Sequence, residues 1–112
     1  MKYFCTEKER KASHSSCYLE FQRGEYSGKH WLEESISLHD DIFHELHLHS
    51  LFKRAIPEFD HYGVTQVSQM QWEKLSQLAF AQGGEVMTVI QELAAWVLDC
   101  FQQETVFTIC GI

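Results

Sequence analysis

The sequence holds a single proline, Pro57, and no apolar run longer than the six residues 93–98. A transmembrane helix needs about 20 apolar residues, so none is expected. The opening Met1-Lys2-Tyr3-Phe4-Cys5-Thr6-Glu7 meets charge at once and lacks the apolar stretch of a secretory signal, which implies a cytoplasmic protein. Basic residues are few: nine Lys and Arg stand against sixteen Asp and Glu, a net charge of −7. Their one cluster is Lys8-Glu9-Arg10-Lys11, too little for a phosphate backbone, so nucleic acid is not an expected partner. The four cysteines (Cys5, Cys17, Cys100, Cys110) contain no Cys-x-x-Cys, which argues against a zinc ribbon or a thioredoxin-like site. Their apolar neighbours suggest reduced thiols filling core space. A Gly-x-Ser-x-Gly nucleophile elbow and a phosphate-cradling glycine loop are missing too.

What remains is 112 residues, enough for one domain (1–112) with a single core. Apolar residues make up 45 %, a globular rather than a disordered composition. Residues 2–6 suggest a short strand, 7–15 a polar loop, and Cys17-Tyr18-Leu19-Glu20-Phe21 a second strand, the candidate hairpin mate of the first. Gly24 and Gly28 mark a turn, and Ile36 and Leu38 can begin a third strand.

Residues 38–55 read as one His-rich amphipathic helix that is largely buried or changes course near 47–50. Ser37 or His39 would be its N-cap, Asp40 and Asp41 would fill its first turn, and Pro57 would stop it. Residues 64–67 form a strand. Ser68-Gln69-Met70-Gln71 then matches a capping box, with Val67 and Trp72 as its hydrophobic staple, and Gly83-Gly84 ends the helix it opens. Apolar positions 86, 89, 90, 93, 97 and 100 recur at helical spacing within 85–103, and 105–110 is a closing strand. The expected fold is α+β: a small, mostly antiparallel sheet from both chain ends packed against about three helices.

Two groups of residues are candidates for a site. His39, Asp40, Asp41, His44, Glu45, His47 and His49 contain metal-ligating types, with His44/His47 and Glu45/His49 at the spacing that shares a helix face. A metal-dependent hydrolase built on 39–49 is therefore an alternative, although a solvated polar face explains the same pattern and no histidine follows in the last fifty residues. The expectation is accordingly no metal, no cofactor and no catalytic residue. The second group is aromatic and acidic: Trp31 beside Glu33 and Glu34, and Asp60-His61-Tyr62. Such anchors ringed by charge suit a binding surface, while the competing reading makes Trp31 and Tyr62 core residues.

The segments Asp41-Ile42-Phe43-His44, Leu51-Phe52, Ile56-Pro57-Glu58-Phe59-Asp60-His61-Tyr62-Gly63-Val64-Thr65 and Gln71-Trp72 cover about a third of the chain. In them, and in its size and acidity, the sequence resembles the small bacterial immunity proteins of contact-dependent growth inhibition systems. The resemblance implies a role and not a residue set: tight binding to a cognate toxin, commonly a nuclease, by covering its active site or substrate groove. A regulatory or adaptor domain without catalysis is the other alternative. Nuclease toxins tend to be basic because they bind phosphates, so an acidic monomer can compete for that surface and meet it quickly. The charge map assigns the partner face to Glu33, Glu34, Asp40, Asp41, Glu45, Asp60, His61 and Tyr62.

Overall fold

Five short segments rich in β-branched and aromatic residues pair, in the computed structural model, which describes residues 1–112, into one wholly antiparallel sheet. The strands are β1 (Phe4–Thr6), β2 (Tyr18–Arg23), β3 (Ile36–His39), β4 (Val64–Ser68) and β5 (Val106–Cys110), ordered β1-β3-β2-β5-β4. The α+β class and the contribution of both chain ends are as expected. β1 and β2 are not hairpin mates, however. β3 lies between them, pairing Phe4 with Leu38 on one side and Leu19 with Leu38 on the other. The three-residue β1 serves as an edge, and β2 takes a central place beside β5.

Helices number five rather than about three. The polar stretch after β1 is not a loop but α1 (Glu7–Ala12), opened by a capping box between Thr6 and Glu9 and held by the Glu7–Arg10 ion pair at 2.7 Å. The helix expected over 38–55 begins later, and its change of course near 47–50 is a break into two helices, α2 (Asp40–Glu45) and α3 (Leu48–Ala55). Leu38 itself belongs to β3, and the chain turns at His47, whose φ of 53° is left-handed. α4 (Gln69–Gln82) opens on the Ser68–Gln71 capping box, and Val67 and Trp72 are both buried beside it. Gly83, at φ 70°, separates α4 from α5 (Gly84–Phe101).

The two faces of the sheet differ. One carries Phe4, Leu19, Phe21, Ile36, Leu38, Phe107 and Ile109 into a core of 24 buried apolar residues, closed from the helix side by side chains such as Phe52, Leu75 and Leu93. The Glu92 carboxylate on α5 also accepts from the amides of Lys2, Tyr3 and Phe4 at 2.7–3.0 Å, fastening the chain start to that layer. The opposite face carries Glu20, Gln22, Ser37 and Thr108, all buried although polar. Of the four free thiols only Cys100 and Cys110 are buried; Cys17 is exposed and Cys5 half-buried, so the expectation of core thiols holds for two. No helix is long and apolar enough to cross a membrane.

Candidate functional site

α2 begins where it does because His39 caps it: its Nδ1 accepts from the Asp41 amide at 3.0 Å. Asp40 and Asp41 then occupy the first turn, where the helix dipole favours negative charge. Asp41 and Glu45 lie four residues apart on the same exposed face of this helix.

The turn 60–63 packs against the α2–α3 pair through aromatic contacts. The Phe59 ring lies 5.8 Å from Phe43 and 5.5 Å from Phe52, and His61 meets the edge of Phe43 at 5.2 Å. The turn is shaped by Asp60, whose Oδ1 accepts from the Tyr62 amide at 2.9 Å while its own amide donates to Thr65 Oγ1 at 3.0 Å. His61 Nε2 lies 2.7 Å from Asp40 Oδ1, tying turn to helix. Tyr62 stacks on the His61 ring at 5.0 Å and 13° and is 77 % exposed. A cleft of about 370 Å³ opens beside this stack, lined by His44, His47, His49 and His61 over a floor of Phe43.

Asp40, Asp41, Glu45, Asp60, His61 and Tyr62 thus come together on α2 and the adjoining turn. Glu33 and Glu34 do not join them. They precede β3, whereas Asp40 follows it, and three steps along that strand carry the chain about 10 Å at ~3.3 Å per residue. Glu33 stands beside Lys8 and Lys11 of α1, and the Glu34 carbonyl accepts from Trp96 Nε1 at 3.2 Å. Of the eight residues assigned to the partner face, six thus lie after β3, on α2 and the 60–62 turn, and Glu33 and Glu34 lie before it. Trp31 is no exposed anchor either: it is half-buried under the Arg10 guanidinium, 3.9 Å from the ring centroid. The proposed Glu45/His49 ligand pair is broken up by the turn at His47, which places the two residues on different helices.

A second cluster was not anticipated. Strand register sets Glu20 opposite both Ser37 and Cys110 on the polar face of the sheet. Glu20 is 1 % exposed, and the segment after β2 closes over it. Its carboxylate accepts from the amides of Trp31 and Leu32, each at 2.8 Å, from Ser35 Oγ at 2.6 Å and from Gln22 Nε2 at 3.0 Å. Burial, with the Glu20 charge adding to it, pushes the Cys110 thiol from its ordinary 9.0 up to about 12. Donor atoms of Glu20, His30 and Cys110 all lie within 4.8 Å of one another. Alternation along β2 gave no hint of this, because a polar residue between Leu19 and Phe21 reads as solvent-facing.

Comparison of the chain with protein-family models, with curated proteins and with solved structures gives no match in any of the three.

Proposed function

We propose that this protein is an inhibitor of the immunity type, which binds a basic toxin domain through α2 and the 60–62 turn and performs no chemistry on it. The observation that carries the reading is the tie of Asp40 to His61 beneath a stacked, outward-facing Tyr62, with Asp60 in the same turn and Asp41 and Glu45 exposed on the same helix. Carboxylates at the rim attract a positively charged surface and speed encounter. A rigid aromatic at the centre gives the apolar contact on which affinity depends, at small cost in conformational freedom. The hydrogen bond to Asp40 and the stack under Tyr62 hold this centre in place before binding, which lowers the ordering cost. Room is sufficient: a standard interface takes about 800 Å² per partner, an eighth of the 6409 Å² surface.

The test is co-expression with a toxin domain encoded beside the chain's own gene, followed by measurement of the complex. The wild type is expected to protect the cell and to bind with an affinity that falls as salt rises. Asp41→Lys combined with Glu45→Lys should weaken binding at least about tenfold and flatten the salt dependence. Tyr62→Ala should weaken it by about 2 kcal/mol, mainly through faster dissociation. Full protection by a variant carrying Asp41→Lys, Glu45→Lys and Tyr62→Ala together would overturn the assigned face, and a neighbouring gene without a toxin domain would overturn the role.

A further inference from the structure

We propose that Glu20, His30 and Cys110 form a binding site for one zinc-class dication on the polar face of the sheet, independent of the partner face described above. The three come from β2, the segment after it and β5, and strand pairing fixes two of them opposite each other. Their donor atoms, one oxygen, one nitrogen and one sulfur, lie within 4.8 Å of one another. Zinc bonds of about 2.0–2.3 Å require ligand atoms roughly 3.3–3.8 Å apart, so the site needs to close by no more than about 1.5 Å on the ion. His30, an exposed residue outside the strands, is the ligand freest to move.

Three further features fit an ion there. A dication with one carboxylate, one thiolate and a neutral imidazole sums to zero charge, the balance that burial favours. The His30 ring already has an orienting partner, since its Nε2 lies 2.9 Å from the Tyr26 hydroxyl, as ligating histidines usually do. The same polar wall also holds two buried acceptors without a partner, Gln22 Oε1 and Ser37 Oγ. Ser37 lies directly across from Glu20 in the strand register, and the Gln22 amide touches the Glu20 carboxylate.

Four donors now occupy that carboxylate, so one must yield to the ion. Gln22 Nε2 makes the longest of the four contacts, at 3.0 Å, and keeps its 2.8 Å bond to the Lys29 carbonyl when it withdraws from Glu20. As the metal–sulfur bond forms, the Cys110 S–H proton passes to solvent; no electron is transferred.

The experiment uses the full chain without a histidine tag, stripped of metal and titrated with Co²⁺ while absorption is recorded. The expected result is saturation at one equivalent with a thiolate-to-cobalt charge-transfer band, displaced by Zn²⁺. Cys110→Ser should abolish the band, and His30→Ala should weaken binding at least about tenfold. A serine at buried Cys110 can disturb the core, whereas His30 is exposed, so His30→Ala is the variant whose fold is secure. Binding without a thiolate band would overturn the site. So would binding unchanged in His30→Ala, or lost on joint replacement of His44, His47 and His49 by alanine, which would put the ion in the other cleft.

Discussion

His61 Nε2 and Asp40 Oδ1 lie 2.7 Å apart across 21 positions of chain, the one side-chain bond that joins α2 to the turn carrying Tyr62. Both side chains are partly screened from water, at 16 % and 32 % exposure, so the contact is worth more than a surface pair. A double-mutant cycle with Asp40→Ala and His61→Ala should return a coupling of roughly 0.5–1.5 kcal/mol in urea unfolding. Additive effects would show that the contact does not hold the turn, and preorganisation of the partner face would lose its basis.

Gly111 makes a second prediction about the same turn. Its amide donates to the Gly63 carbonyl at 2.8 Å, and that of Ile112 to the His61 carbonyl at 2.8 Å, so the chain end backs the turn directly. A Cβ at Gly111 would collide with the His61 carbonyl oxygen, and backbone cannot swing aside as a long side chain can. Gly111→Ala should therefore lower stability by roughly 1–3 kcal/mol and shift the amide resonances of residues 60–63. An alanine variant with unaltered turn resonances and unfolding midpoint would show that this close approach is relieved in solution.

His47 holds a left-handed conformation with its side chain exposed, so the residue bears a backbone cost with few contacts in return. That conformation costs an ordinary residue about 1–2 kcal/mol, while glycine adopts it freely but is more disordered when unfolded. His47→Gly should raise stability by roughly 0.5–1 kcal/mol, and His47→Val should lower it by about 1 kcal/mol, read from the urea midpoints. Equal midpoints for glycine and valine would mean that α2 and α3 do not meet at a left-handed turn.

Features written in short spacings were legible. The Ser68–Gln71 box, the Val67–Trp72 staple and the glycine stop at Gly83 each depend on neighbours within about five residues; the structure contains the box and the stop, and Val67 and Trp72 are both buried beside them. α1 carried the same kind of signal in Thr6-Glu7-Lys8-Glu9, but it buries no residue, so no apolar periodicity marked it. What depended on pairing between distant segments stayed hidden. Glu33 and Asp40 are near in sequence yet separated by β3, and Glu20 meets Cys110 only because β2 pairs with β5. Six of the eight residues assigned to the acidic face fall on helix α2 and one tight turn, where placement follows from local spacing. The buried polar cluster could not, since alternation along a strand tells which face a side chain takes and not whether a loop will cover it.

Thiol titration gives the pH dependence its sign. Burial raises Cys110 from 9.0 to about 12, and raises Cys5 and Cys100 in the same direction. A thiol whose folded pKa exceeds its unfolded one keeps its proton longer in the native state, so the unfolded chain loses protons first as pH rises. The contribution is complete below about pH 9 and declines between about 9 and 12, at about 1.36 kcal/mol per unit, or roughly 4 kcal/mol for Cys110 by pH 12. Metal-free protein should accordingly show a urea midpoint insensitive to these thiols from pH 7 to 8.5 that falls steeply above pH 9, with a shallower fall in Cys110→Ala. Ellman's reagent at pH 8 should find one fast thiol, exposed Cys17, and slower reaction at the other three until the protein is unfolded. Rapid native reaction at three or more thiols would show that Cys100 or Cys110 opens to solvent, and the alkaline loss of stability would then shrink with it.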